Sequence, residues 1–306
     1  MRVHTPLRYP GGKARLGPFL GELVRVNGLS DGSYVEPYAG GAGAATYLMF
    51  GEFVDTIYIN DLDERIFAFW LAILDHSDAF CRLLERVPIT TKEWYRQKRI
   101  FNAGSESSDA LRLGFATFYL NRTNRSGILN GGMIGGKRQR GEWLLDARFN
   151  RDKLIDRIQR ISRYRRRIRV SNEDALEFMT RLRPTLSSKT LLYLDPPYYS
   201  KAQHLYSNFY LPDDHRHIAE FVSSLTLPWV ITYDDHTAIR SLYSGFRRFR
   251  YSLDYSARVR RSGSEVMFFS HGLSIPDTSR CCGLGRRPPT PASTHQAGRV
   301  ATVRVA

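Results

Sequence analysis

The chain has 306 residues, 42% of them apolar, and a formal net charge of +15. That apolar share supports a packed core and excludes a disordered chain. The basic excess suits a polyanionic partner, because Lys and Arg gain affinity by releasing counterions from phosphates, but charge alone does not separate DNA, RNA and an anionic membrane. The cysteines, Cys81 and the adjacent Cys281 and Cys282, form neither a disulfide framework nor a zinc pattern. No run of about 18 apolar residues occurs, and MRVHTPLRYPGGK lacks a signal-peptide core. A soluble, cytoplasmic, monomeric protein with no membrane partner is expected.

Near the N-terminus, LRYPGGKARL (7–16) combines an aromatic, a Pro-Gly-Gly turn and a lysine. Two readings stay open from spacing alone. One is a turn before a helix; the other has Tyr9 flanking a ligand and Lys13 binding its carboxylate. Next, SYVEPYAGG (33–41) is a strand running into a glycine turn, and the apolar segment after it reads as a helix. Gly40 and Gly41 allow close approach of a ligand. Glu36 and Tyr38 share that loop. TIYIND (56–61) is a second strand and ends in Asp61, about twenty residues past the glycines, where a carboxylate accepts from ribose hydroxyls. The loop matches neither G-x-G-x-x-G nor a P-loop. Its acid argues for a ligand with cationic or amino groups, such as S-adenosylmethionine.

RIFAFWLAIL (65–74) is helical, and about a hundred residues then separate the second strand from the third. That gap is too long for one crossover, so 76–149 is expected to be an inserted module. Within it, Lys137, Arg138 and Arg140 form a basic turn suited to phosphates. Asn150 is placed to cap a helix whose apolar stripe is Leu154, Ile155, Ile158 and Ile161. RIRVSN (167–172) is the third strand, with a helix from Asp174 to Leu182. LLYLDPPY (191–198) and WVITYDD (229–235) follow as strands, and RRFRYSLDY (247–255) with SEVMFFS (264–270) as a late pair, possible partners in an edge hairpin. Strands alternating with helices imply an α/β fold with a doubly wound, mostly parallel sheet of seven strands. Residues 1–75 and 150–271 would form the catalytic domain. From 272 to 306 the Arg, Pro, Gly, Ser and Thr content implies a disordered tail.

Asp195 should stand where the DPPY strand ends, at the ligand-binding edge of the sheet. Its carboxylate and the Pro196 carbonyl can accept both hydrogens of an exocyclic amino group, with Pro196 and Pro197 fixing the backbone. That arrangement would aim the amino lone pair at a sulfonium methyl, with no metal needed. Tyr198 would offer a face for stacking a base swung out of the duplex.

RYPGGK, YVEPYAGGAGA, IND, FYLNRTNRSGILNGG, DPPY and GSEVMFF occur in this order over roughly 5–270. In that, the chain resembles the Dam-like class of adenine-N6 DNA methyltransferases. The resemblance implies S-adenosylmethionine as cofactor, double-stranded DNA as substrate and a helical target-recognition module between the second and third strands. Tyr9, Lys13, Asp61 and Asp195 would be cofactor contacts, joined by Asp174 near the cofactor adenine. Asp195 to Tyr198 would be catalytic. Arg122, Thr123 and Asn124 would touch DNA, and the protein would sit with the nucleoid. The chain departs from the pattern at Ala42, where many members carry a third glycine, and at Arg125 and Ser126, where some Dam proteins place an aromatic and an Asn, so a GATC target is not carried over.

The chain has no Pro-Cys, so cytosine-C5 methylation, which needs a cysteine nucleophile, is excluded. Cytosine-N4 or RNA-base methylation, an inactive DNA-binding protein and a Rossmann oxidoreductase remain as alternatives.

Overall fold

The structure is a computed structural model that describes residues 4–8, 13–107, 109–199, 210–254 and 262–277. Seven strands form one sheet: β1 (Ser33–Glu36), β2 (Thr56–Asn60), β3 (Ile168–Ser171), β4 (Thr190–Leu194), β5 (Trp229–Asp234), β6 (Arg247–Asp254) and β7 (Ser262–Phe269). Their order is β3-β2-β1-β4-β5-β7-β6. The first five pair in parallel, and β7 runs antiparallel between β5 and β6. The seven expected strands are all present, and the late pair is an antiparallel ladder at the edge. Strand order reverses between β1 and β4, so their C-terminal ends open a crevice.

The parallel strands are apolar nearly throughout because helices cover both faces. On one side lie α1 (Gly17–Val26), α2 (Gly43–Phe50), α3 (Glu64–Asp75) and α7 (Arg151–Ser162). On the other lie α8 (Ala175–Leu182), α9 (Pro212–Ser223) and α10 (Thr237–Leu242). Local chemistry sets several helix starts. Asp63, Asn150 and Asp174 each accept backbone N–H groups at the N-termini of α3, α7 and α8.

The long insertion is mainly helical, with α4 (Ser77–Arg86), α5 (Thr91–Ala103) and α6 (Ala110–Thr123). Phe80, Trp94, Phe101, Phe115 and Phe118 belong to the same apolar cluster as Leu16, Phe19 and Ile57 beside the sheet. The insertion is therefore continuous with the main core. α6 lies against α3 so closely that a Cβ at Gly114 would stand 2.5 Å from the Ala68 carbonyl oxygen.

The expected tail boundary needs correction. Leu273 is 4% exposed and packs with Ile275 against the core. Ser274 exchanges hydrogen bonds with Asn27. Apolar burial fastens these residues to the fold despite the change in composition, and 278–306 lies outside the described residues. Among the described residues no helix is long and apolar enough to cross a membrane.

Gly114→Val would force a branched side chain onto the α3 backbone. The expected loss is about 2 kcal/mol or more of stability, measured by urea denaturation. An unchanged midpoint would show that the two helices separate freely.

Candidate active site

The crevice is built from the end of β1, the loop into α2, the end of β2 and the segment after β4. In the glycine loop, the Gly40 N–H donates to Asp61 Oδ2 at 2.8 Å, and the Gly40 carbonyl accepts from Trp70 Nε1 at 3.0 Å. Gly41 is buried in the turn. Asp61 also accepts from the Asp63 N–H at 3.0 Å. Burial pushes the Asp61 carboxyl up to about 7, with the Asp63 and Gly40 N–H groups opposing the rise. Tyr38 lies across the loop and its hydroxyl accepts from Tyr210 at 3.2 Å. Asp174 caps α8 through Oδ1, while its Oδ2 accepts nothing among the described residues.

The DPPY segment follows β4 directly. Asp195 Oδ1 accepts from Thr232 Oγ1 at 2.7 Å and lies 3.1 Å from Lys13 Nζ. The side chain is 21% exposed, and among the described residues its Oδ2 accepts no hydrogen bond. The Pro196 carbonyl is likewise without a donor among the described residues. Burial pushes the Asp195 carboxyl up; Lys13 pulls it back, and Glu265 adds to the rise. Lys13 is 5% exposed and also lies 3.4 Å from Glu265 Oε2. Burial disfavours its charge, but Asp195 and Glu265 outweigh that and hold the ammonium well above the usual lysine range.

Several expectations change here. Lys13 was open as a ligand-carboxylate contact, but its ammonium is spent inside the protein on two carboxylates. Glu36 was placed near a ligand; it is 3% exposed and accepts from the Ala45 N–H at 3.2 Å, so it braces the α2 N-terminus. Tyr198 was to present a stacking face. Its ring is buried instead, because the hydroxyl donates to Glu265 Oε1 at 2.5 Å. Tyr9 lies outside the described residues.

Arg122, Thr123 and Asn124 are corrected as direct DNA contacts, because all three point inward. Arg122 donates to the Arg148 carbonyl at 2.8 Å and to the Pro6 carbonyl at 3.4 Å. Burial, with Arg8, Arg157 and Arg148 nearby, pushes its guanidinium down to about 9. Thr123 donates to the Tyr119 carbonyl at 2.7 Å. Asn124 accepts from Trp94 Nε1 at 2.7 Å and donates to the Ile128 and Leu129 carbonyls. Neighbouring Asn121 binds both the N–H and the carbonyl of Arg8 at 2.7 Å, fastening the backbone at residue 8, upstream of Lys13.

Lys137 and Arg138 are exposed on a turn braced by Gln139, which donates to the Ile134 and Gly136 carbonyls at 2.7 Å. The structure also adds site members that the sequence reading did not assign. Thr232 is a buried polar residue in an apolar strand, and Glu265 is an acid within GSEVMFF; each breaks its strand's apolar run, the one signal available. Ala42 and Ser126, two of the departures noted above, both adopt left-handed backbone, with φ of 44° and 56°. Glycine or asparagine would hold that conformation at about 1 kcal/mol less cost.

Asp61 gives this site a pH signature. An unfolded aspartate titrates near about 3.9, well below the folded value, so folding retains a proton between the two. The associated stability is complete below about 4 and is lost as pH rises through about 7. Relative to Asp61→Asn, the native chain should lose stability progressively from about pH 4 to about pH 7 and no further above it, read as urea midpoints. Parallel profiles would contradict the assignment.

Comparison with known proteins bears on the same crevice. No curated protein matches this chain in sequence. Among solved structures, a Listeria monocytogenes chain described as a candidate class I S-adenosylmethionine-dependent methyltransferase overlaps at 10% identity and a TM-score of 0.37, covering 90% of this chain and 65% of that one. A Legionella pneumophila protein overlaps at 10% identity and a TM-score of 0.33, covering 87% and 86%. This chain thus spans just under two thirds of the Listeria chain. Assignment rests on a family model, that of the D12 class N6 adenine-specific DNA methyltransferases, which matches residues 9–256. The chain belongs to the D12 class N6 adenine-specific DNA methyltransferase family.

Proposed function

We propose that this chain transfers a methyl group from S-adenosylmethionine to the N6 amino group of an adenine swung out of double-stranded DNA. The observation that carries the reading is the pair of acceptors at the strand-order reversal, Asp195 Oδ2 and the Pro196 carbonyl, which have no donor among the described residues. An amino group has two N–H bonds to give. Thr232 and Lys13 hold the other Asp195 oxygen, so the free one is fixed in direction before substrate arrives. The two prolines fix the backbone that carries the second acceptor.

The residues of the glycine loop suit the cofactor. Asp61 accepts from ribose hydroxyls, Gly40 and Gly41 leave room for close approach, and Tyr38 with Asp174 Oδ2 flanks the adenine end. When bound, S-adenosylmethionine supplies an electrophilic methyl carbon. The protein's part is to hold the amino nitrogen in line with it, with its two hydrogens engaged and its lone pair forward. One proton leaves the methylated nitrogen; Asp195 is the carboxylate beside it. Glu36 acts from behind the loop, keeping α2 in place.

Lys137 and Arg138 face DNA phosphates, in place of the inward-turned Arg122, Thr123 and Asn124. Their placement on an exposed, braced turn supports this, as does the +15 charge.

Asp195→Ala should abolish methyl incorporation from labelled S-adenosylmethionine while DNA affinity persists. Mass spectrometry of nucleosides from treated DNA should show N6-methyladenine. N4-methylcytosine as the product, or an active Asp195→Ala, would refute the reading. Replacing both Lys137 and Arg138 by Ala should flatten the dependence of log affinity on log salt by about 2, roughly one unit for each lost phosphate contact. An unchanged slope would remove them from the interface.

A further inference from the structure

Behind the acceptor pair sits a carboxylate to which neither the motif reading nor the proposed chemistry gives a role. Glu265, on β7, is 1% exposed. Its Oε1 accepts from the Tyr198 hydroxyl at 2.5 Å, and its Oε2 from the Tyr251 hydroxyl at 2.6 Å. Lys13 Nζ lies 3.4 Å from the same Oε2. Lys13 also donates to the Tyr198 hydroxyl at 3.1 Å and pairs with Asp195 at 3.1 Å. One buried acid therefore touches both the lysine that holds Asp195 and the tyrosine that ends the DPPY segment.

We propose that Glu265 is a positioning residue for Asp195: by sharing Lys13 and anchoring Tyr198, it fixes where the acceptor oxygen of Asp195 stands and how strongly Lys13 holds it. This rests on the reading of Asp195 given above. Two carboxylates divide one ammonium. Whatever weakens the claim of Glu265 on Lys13 strengthens that of Asp195, and the reverse. Tyr251 is the regulator of that division on β6, since its hydroxyl satisfies part of the Glu265 charge.

The groups that face this cluster come from every element around it. They are Lys13 from the N-terminal turn, Asp195 and Tyr198 after β4, Tyr193 from β4, Tyr251 from β6, and Tyr34 and Glu36 from β1. Glu36, Tyr34, Tyr193 and Tyr251 are held toward their neutral forms by burial. Beside the burial that raises the Asp195 carboxyl, the charges that act on it are Lys13, which lowers it, and Glu265, which raises it.

Two substitutions that leave Asp195 and Lys13 in place shift that balance in opposite senses. Glu265→Gln keeps the shape, removes the competing charge and leaves Lys13 to Asp195 alone. Tyr251→Phe removes one donor from Glu265, which then draws Lys13 away from Asp195. The readout is the titration midpoint of the Asp195 carboxyl, followed by carbon-13 NMR with aspartate carboxyl labelling and assigned with Asp195→Asn. The midpoint should fall in Glu265→Gln and rise in Tyr251→Phe, and the acid limb of kcat/KM should move with it. In Glu265→Gln, kcat should drop roughly tenfold to a hundredfold, the scale of a lost charged hydrogen bond, with KM for S-adenosylmethionine little changed. Midpoints that stay put, or move the same way in both variants, overturn the proposal. A native protein that transfers no methyl while the midpoints move as stated would sink the methyltransferase reading and leave the Glu265 coupling standing.

Discussion

The site depends on one buried ammonium. Lys13 is held between Asp195 and Glu265, with almost no exposure to water. Dehydrating three charged groups is costly, and the cost is offset only if geometry and further hydrogen bonds are good. Here Thr232 serves Asp195, and Tyr198 and Tyr251 serve Glu265. The interaction ties the N-terminal turn to the end of β4 and to the antiparallel edge of the sheet, segments far apart in the chain. It also leaves two acids facing one base. Under the proposed function, that surplus of negative charge suits a sulfonium in the crevice, while a phosphate would be repelled.

Lys13 comes from outside the sheet, and the backbone at residue 8, upstream of it, is secured by the insertion. Asn121 grips the Arg8 backbone, and Gly127 fits against the Arg8 carbonyl, where a Cβ would stand 2.3 Å away. The end of α6 therefore acts as a clasp between the insertion and the catalytic turn. Arg122, Thr123 and Asn124 complete it by satisfying carbonyls and a tryptophan N–H in the interior. A motif that looks like a contact surface is the frame that holds two surfaces in place.

The strands, their alternation with helices and the glycine loop were legible because each is a local pattern of apolar runs and turns. Asp195 and Asp61 were legible because position at a strand end places a residue at the crevice. Direction of burial was not. LNRTN names five neighbours without saying which way they face, and Lys13 beside a Pro-Gly-Gly turn gives no sign of two acids waiting for it. Glu265 stood in plain view within an apolar strand, but its partners come from β6 and the DPPY segment, brought near only by the fold. The tail began too early in the sequence reading because composition shifts at 272 while Leu273 and Ile275 still pack inside.

The central claim is that Asp195 Oδ2 and the Pro196 carbonyl receive the two N–H bonds of an adenine amino group. A crystal structure with a non-reactive S-adenosylmethionine analogue and duplex DNA tests it most directly. The account predicts N6 within about 3 Å of both oxygens, with Lys13 still paired to the other Asp195 oxygen. An amino group bound elsewhere, or an Asp195 turned away from the base, would contradict it.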